Sequence, residues 1–419
     1  MTVAVTTLPN GLRVLTDTMP TVETVSLGAW VDVGTRHETA EINGISHLME
    51  HMAFKGTERR SAQDIAEQIE NVGGHLNAYT SREQTAYYAK VLKEDMALAV
   101  DIVADILQNA VFDPEELKRE QAVVIQEINQ AIDTPDDIVF DHFQATAYPS
   151  QALGRPVLGT PETVRGIDRD TLHAFLHGAY TAPAMVVTAA GNIDHDTFVA
   201  EVERQFTGLK GAAAPKPEPA VYAGGDFREA RDLEQVHVVL GFDGVPYDHP
   251  QFYSAAVLST LLGGGMSSRL FQEIRERRGL VYSIYSFASS YTDGGLFSIY
   301  AGTGEDEVAE LIPVMCDEIV RVGDGVTDAE LTRARAQLKA GILMSLESTS
   351  SRCEQLARQV LAYGRPMTTD EVVAHIEAVD AAAVRDAVGL VLRGAPTLAV
   401  LGSLKNVEDY EKIKERLAA

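Results

Sequence analysis

The feature that most constrains the fold is an order of elements that recurs in the two halves of the 419-residue chain. Each half has strand-like, helix-like, hairpin-like and long helical stretches in the same succession, followed by a late buried strand. Between the halves, residues 208–226 (GLKGAAAPKPEPAVYAGGD) are rich in Pro, Gly and Ala, as linkers are. We therefore predict two similar α+β domains, at residues 1–210 and 227–419, joined by a linker at 211–226.

The charge of the chain narrows the classes of partner. Its 61 acidic and 35 basic residues give a net charge of −26. A nucleic acid would be repelled, whereas a cationic peptide would be attracted, although an acid excess can also serve solubility alone. The cysteines, Cys316 and Cys353, lie in apolar stretches without metal or redox spacing, which favours buried thiols in a reducing compartment.

The N-terminal stretch gives an expectation about location. It has no charged start followed by an apolar run, and no window of the chain approaches 18 uninterrupted apolar residues. We expect a cytoplasmic bacterial protein that does not insert into membranes. A mature organellar form whose presequence has been removed is the alternative.

The strongest chemical motif lies in GISHLMEHMAFKGT, residues 44–57, where His47, Glu50 and His51 form H-x-x-E-H. On a helix these three side chains share one face. Two imidazoles one turn apart can reach a single zinc ion, and the glutamate beside them can take a proton from the attacking water. A polar helix face with a capping role is the alternative, but histidines on so apolar a helix need partners.

A second helical stretch, residues 113–132, offers a further metal ligand. A catalytic zinc usually has three protein ligands and one open position. Glu120 and Glu127 are two turns apart and share a face, with Val123 and Val124 on or near it. Spacing alone does not decide which carboxylate binds metal, and a Glu-rich surface helix is the alternative.

In the second half, Arg275 and Tyr282 flank a turn between a helical stretch and a strand. An arginine can donate to carbonyl oxygens, and a tyrosine hydroxyl can stabilise an oxyanion. Taken alone, a salt bridge and a core aromatic are the more ordinary interpretation. The preceding glycines at 263–265 lack the Lys and Ser/Thr spacing of a phosphate loop.

These segments resemble the pitrilysin- or insulinase-type metallopeptidases, whose H-x-x-E-H signature defines inverzincins. HLMEHMAFKGT, GGHLNAYTSREQTAYYAK and EELKREQAVVIQEI are similar to the β subunit of mitochondrial processing peptidase and its bacterial homologues. The resemblance extends over essentially the whole chain and includes LGRPVLGT at 153–160 and RLFQEIRERRGLVYS at 269–283.

The resemblance implies a zinc site. His47, His51 and Glu127 match the metal ligands, and Glu50 matches the general base. Glu120 matches a second acidic residue that supports the site. One zinc ion per chain is therefore expected.

The resemblance also implies substrate contacts in the first half. Asn77 and Ala78 match an edge strand to which a substrate adds as a further strand. Phe54 matches a pocket for the residue that follows the scissile bond.

Four further residues match positions that bind substrate. Asp137 and Asp141 match acidic positions that select a basic side chain before the cut. Arg275 and Tyr282 match a pair from the C-terminal domain that holds the substrate backbone near the metal.

The resemblance finally implies fold and function. Each domain would contain a mostly antiparallel sheet flanked by helices, and the two domains would form half of a peptidase chamber. Because the zinc residues and the Arg–Tyr pair share one chain, a self-sufficient homodimer is expected. The predicted function is zinc-dependent endopeptidase activity on short or unfolded, basic peptides. A non-catalytic structural or partner subunit, or a peptidase dedicated to one modified peptide, are the alternatives.

Overall fold

The computed structural model describes residues 2–213 and 216–418 and divides the chain into two compact units. The first unit contains Met1–Gln130, Arg155–Glu218 and Ser345–Met367. The second contains Ala131–Gly154, Pro219–Met344 and Thr368–Ala419. Neither unit is one continuous stretch, because each includes a segment from the other half of the sequence.

The first unit is built on a six-stranded sheet. Its strands are β1 (Thr2–Thr7), β2 (Arg13–Thr18), β3 (Thr24–Val31), β4 (His75–Thr80), β5 (Thr85–Leu92) and β6 (Met185–Gly191). They lie in the order β1-β2-β6-β3-β5-β4, with β2 and β6 parallel and the other neighbours antiparallel. β3 is buried almost throughout, whereas β4 at the edge is partly exposed, so the core lies under the centre of the sheet.

Helices cover this sheet. They are α1 (Ile45–Ala53), α2 (Ala62–Glu70), α3 (Met96–Gln108), α4 (Pro114–Ile132), α6 (Pro161–Gly166), α7 (Arg169–Ala179), α8 (His195–Gln205) and α12 (Thr349–Tyr363), with α5 described below. Local sequence sets their ends: the Ser61 side chain accepts a hydrogen bond from the Asp64 amide at the start of α2, as predicted for a capping residue.

The second unit is built on a five-stranded sheet with the order β7-β11-β8-β10-β9. Its strands are β7 (Gly225–Ala230), β8 (Val236–Asp243), β9 (Val281–Ser290), β10 (Gly295–Thr303) and β11 (Thr397–Gly402). Its helices are α5 (Pro135–Ala147), α9 (Phe252–Gly263), α10 (Val308–Asp324), α11 (Asp328–Ser345), α13 (Thr369–Ala378), α14 (Ala381–Val391) and α15 (Tyr410–Leu417). A π-helical segment, Phe271–Arg277, precedes β9.

Apart from β1, which has no counterpart in the second sheet, the two sheets have the same topology. The parallel pair β7–β11 corresponds to β2–β6, and β8, β10 and β9 follow in the same antiparallel order as β3, β5 and β4. The prediction of two similar α+β domains with mostly antiparallel sheets is confirmed. Helices α12 and α5 are exchanged between the sequence halves: α12 packs on β2, β3 and β6, and α5 packs on the corresponding strands β7, β8 and β11.

The described residues also bear on the cysteines and on helix length. Cys316 and Cys353 are buried free thiols, as expected. No helix in residues 2–213 and 216–418 is long and apolar enough to cross a membrane.

Candidate metal centre

Helix α1 presents the H-x-x-E-H motif on one face and packs its other face into the core. Ile45, Leu48, Met49 and Met52 are fully or almost fully buried. This apolar stripe fixes the rotation of α1 because hydrophobic burial at i, i+3, i+4 and i+7 leaves one orientation. The histidines and glutamate of the motif are therefore held on the opposite, partly exposed side.

Helix α4 supplies two glutamates to the same place. Val124 is fully buried and Glu120 is only 6% exposed, so this face of α4 points inward. Glu127, two turns after Glu120, lies further toward solvent, with a side chain 38% exposed. Val123 points away from this face and is an exposed hydrophobic residue, so of the two valines only Val124 lies on the buried face of α4.

His47, His51 and Glu127 converge although they come from two helices. One potential ligand atom from each of the three lies within 4.8 Å of the others. Oε2 of Glu127 is 3.7 Å from Nε2 of His47 and 3.6 Å from Nε2 of His51. Two imidazole nitrogens and a carboxylate oxygen are a donor set that suits zinc.

Glu120 contacts His51 at the ring nitrogen that does not face Glu127. Nδ1 of His51 lies 3.0 Å from Oε2 of Glu120. A carboxylate oxygen at Nδ1 favours the tautomer that donates from Nδ1, in which the Nε2 lone pair is free to bind a metal. Lys55 forms an ion pair of 2.7 Å with the other oxygen of Glu120.

The surroundings of His47 favour its neutral form. Burial, and then the neighbouring His51, lower the pKa of His47 from 6.5 to about 4. Its ring is therefore uncharged at neutral pH, which is the form that binds metal. Nδ1 of His47 is buried and has no hydrogen-bond partner among the described residues.

Glu50 lies beside His47, His51 and Glu127, which together are called the ligand cluster, and it is hydrogen-bonded to the edge strand β4. Thr80 Oγ1 donates a hydrogen bond of 2.6 Å to Oε2 of Glu50. Burial raises the pKa of Glu50, while the bond from Thr80 lowers it. A carboxylate whose pKa is raised by burial is a stronger proton acceptor, which suits a general base.

The edge of the first sheet lies next to this cluster. β4 is hydrogen-bonded only to β5 among the described strands, so its other side is a free edge. Asn77 is exposed, and its side chain accepts a hydrogen bond of 2.8 Å from the Ala78 amide. Phe54 follows α1, is partly buried, and packs its ring 6.3 Å from that of Tyr87.

The remaining predicted residues lie in the second unit. Asp137 and Asp141 are one turn apart on α5, and burial, Asp141 and Asp136 raise the pKa of Asp137. The Arg275 guanidinium lies 5.7 Å from the ring centre of Tyr282, a residue that is 77% exposed. The members of each pair are therefore neighbours, and both pairs lie in the second unit.

Sequence patterns missed two contributors, Thr80 and Lys55. Thr80 is two residues after Ala78 and therefore faces the same side of β4. The two-residue period of a strand could have predicted this. Lys55 directly follows Phe54 in the HMAFKGT segment, but nothing local shows that it meets Glu120.

Comparison with protein families identifies both halves. The family described as insulinase (peptidase family M16) matches residues 13–161, and the one described as the peptidase M16 inactive domain matches residues 166–338. An uncharacterized zinc protease of Bacillus subtilis is 42% identical over 89% of this chain and 92% of its own length. The chain belongs to the M16 peptidase family. The predicted resemblance and the prediction of a metallopeptidase are confirmed.

Relatives of this M16 peptidase occur in bacteria and plants. A probable mitochondrial-processing peptidase subunit beta of Arabidopsis thaliana is 37% identical over 98% of this chain and 80% of its own length. An uncharacterized zinc protease of Streptomyces coelicolor is 40% identical over 97% of this chain and 90% of its own.

Solved structures show the fold of this M16 peptidase. A protease from Helicobacter pylori has a TM-score of 0.90 at 21% identity and covers 96% of this chain and 99% of its own. A chain from complex III of Candida albicans has a TM-score of 0.88 at 23% identity and covers 99% of both chains. At these identities the likeness concerns the fold alone.

Proposed function

We propose that this M16 peptidase is a zinc-dependent endopeptidase that cleaves short or unfolded, basic peptides. The observation that carries the proposal is the convergence of His47, His51 and Glu127 within 4.8 Å, next to Glu50 and a free strand edge. One zinc ion per chain would be bound by these three side chains. When bound, zinc supplies a Lewis acid that polarises the scissile carbonyl and makes water easier to deprotonate.

Glu50 is the proposed general base. It takes a proton from the attacking water and then gives this proton to the leaving amine. Its partial burial raises its affinity for that proton, and Thr80 fixes the direction of its carboxylate. Glu120 keeps His51 in the tautomer that leaves Nε2 free to bind metal.

The substrate is proposed to add to β4 as an extended strand. Main-chain hydrogen bonds to the free edge around Asn77 and Ala78 would give affinity without demanding a particular sequence. Only an unfolded or short peptide can offer such an edge. The partly buried ring of Phe54 would form a wall of the pocket for the residue after the cut.

The second unit is proposed to contribute selectivity. Burial, and then the neighbouring Asp141 and Asp136, raise the pKa of Asp137, and a cationic side chain between Asp137 and Asp141 would offset the repulsion of the two carboxylates. Arg275 and Tyr282 would hold the substrate backbone, because the exposed Tyr282 hydroxyl can donate to a carbonyl oxygen. The net charge of −26 favours encounter with cationic peptides.

A homodimer is part of the proposal. The proposed zinc ligands and the Arg275–Tyr282 pair all lie on one chain, so no second gene product is needed to supply them. The rival function, a non-catalytic subunit of the same fold, is disfavoured because the three proposed ligands and the base are all present and adjacent.

Digestion of a mixed peptide library, with and without a chelator, tests the proposal. We expect internal bonds to be cleaved, cleavage to stop with chelator and return with added zinc, and lysine or arginine to be enriched before the cut in the products seen by mass spectrometry. Zinc-loaded protein that cleaves nothing would contradict the peptidase function. Cleavage without enrichment of basic residues would contradict only the role of Asp137 and Asp141.

A further inference from the structure

A buried carboxylate outside the ligand cluster contacts the start of the metal-binding helix. Glu38 is only 4% exposed, and both of its carboxylate oxygens accept hydrogen bonds. Oε2 accepts hydrogen bonds from Nδ2 of Asn43 (2.9 Å) and the Gly44 amide (2.8 Å). Oε1 accepts one of 2.8 Å from the Ser46 amide.

Helix α1 lacks a capping side chain of its own. Its N-cap residue is Gly44, which offers no side-chain acceptor. The first amides of any helix have no partner within the helix, and a nearby anion both accepts from them and interacts well with the helix dipole. Glu38, which lies before α1 in the sequence, therefore caps this helix. One of the amides that it accepts from belongs to Ser46, the residue directly before His47.

A loop formed by residues 155–159 also contacts the start of α1. Nδ2 of Asn43 also donates to the Pro156 carbonyl at 3.1 Å, and Arg155 donates to the carbonyl oxygen of Glu38. Gly44 and Gly159 approach so closely that a Cβ on Gly159 would lie 2.4 Å from the Asn43 carbonyl oxygen. The LGRPVLGT segment therefore has a structural role, because it holds residues 43 and 44 next to the carboxylate of Glu38.

We propose that Glu38 is a positioning residue for the metal site. It acts through α1, setting the place of the first helical turn so that His47 meets His51 and Glu127. The inference rests on the proposed zinc site. His51 is held separately by Glu120, so loss of the cap displaces His47 in particular.

The variant Glu38→Gln tests the role in the full-length protein. An amide replaces one carboxylate oxygen by a donor that faces other donors, so the first turn of α1 loses acceptors. We expect zinc affinity, measured by competition with a chromophoric chelator, to fall by about 10-fold. This is the lower end of the effect of changing residues that hydrogen-bond directly to metal ligands, because Glu38 acts on His47 only through the helix backbone. The absorption spectrum of the cobalt-substituted protein should change, and kcat should fall while KM stays near the wild-type value.

Asp105→Asn is the matched control. Asp105 is 1% exposed and lies in the same unit, and among the described residues its hydrogen bonds come from Thr57, Arg59, Arg60 and Asn109, none of which is a proposed ligand. We expect this variant to lose thermal stability but to keep the zinc affinity and cobalt spectrum of the wild type. If Glu38→Gln yields no folded protein, Asn43→Ala removes one donor and should weaken zinc binding by about fivefold.

The outcomes separate this inference from the proposed function. Wild-type protein that binds no zinc would refute the proposed zinc site, and the inference with it. If the wild type binds zinc and Glu38→Gln has the same affinity, spectrum and kcat, only the positioning role is overturned. The same holds if Asp105→Asn weakens zinc binding as much as Glu38→Gln, because the effect would then follow general destabilisation.

Discussion

The hydroxyl of Thr80 lies 2.6 Å from Oε2 of Glu50 and donates a hydrogen bond to it. This contact joins the last residue of the edge strand β4 to the proposed base on α1. A peptide bound along β4 would therefore be placed at a fixed distance from the carboxylate that is to move its protons.

The variant Thr80→Val removes this hydrogen bond while keeping the β-branched shape. We expect kcat to fall by about 10- to 100-fold, since one bond to a charged group contributes roughly 1.5–3 kcal/mol, and KM to change little. Because the bond lowers the pKa of Glu50, its loss raises that pKa, and the acid limb of the activity profile should move to higher pH. Thr80→Ser, which keeps the donor, should resemble the wild type; unchanged kcat and pH profile in Thr80→Val would refute this role.

Neutralising both Asp137 and Asp141 to Asn should abolish selection for a basic side chain. We expect kcat/KM for an arginine-containing peptide to fall by about tenfold or more, which corresponds to roughly 1.4 kcal/mol, and to change little for its citrulline analogue. The control is Asp306→Asn with Asp328→Asn, which changes the net charge equally on exposed surface of the same unit. Equal losses in both double variants would show that only overall charge matters.

The pair Arg269–Glu330 should give the second unit an acid-sensitive part of its stability. Hydrogen bonds from Arg269, and then from Thr327, lower the pKa of Glu330 from 4.5 to about 2. A lowered folded-state pKa stabilises the fold above pH 4.5, and this contribution is lost as pH falls toward 2. Glu330→Gln should lower the free energy of unfolding by about 1–2 kcal/mol at neutral pH, since solvent screens a partly exposed pair.

Denaturant unfolding of both proteins at a series of pH values measures this difference. It should be constant near neutrality and narrow below about pH 4.5, as the unfolded glutamate begins to bind protons. A difference that grows as the pH falls would have the wrong sign for this ion pair.

Short-range periodicity explains why much of the site could be predicted. His47, Glu50 and His51 depend only on helical spacing, and α1 has the rotation that its apolar residues require. Glu120 and Glu127 also share a face as spacing predicts, yet the choice of Glu127 as the ligand needed the family resemblance. The convergence of Glu127 with the histidines depends on tertiary structure, because α1 and α4 are about seventy residues apart in the sequence. Local sequence therefore does not predict it.

The parts that sequence did not reveal depend on packing between distant segments. Lys55 reaches Glu120 from the end of α1, and Glu38 caps α1 across a loop. The exchange of α5 and α12 between the halves leaves no local mark, because both helices have ordinary amphipathic patterns and the Pro-rich linker lies elsewhere. Element order therefore predicted the two sheets but not which helices cover them.

The most direct test of the account is the variant Glu50→Gln, with zinc content and peptide cleavage measured on the same preparation. We predict one zinc ion per chain, as in the wild type, and cleavage that is slower by about 10²- to 10⁴-fold, because ligands remain while the general base is lost. Zinc-loaded Glu50→Gln that cleaves peptides at the wild-type rate would contradict the proposed mechanism.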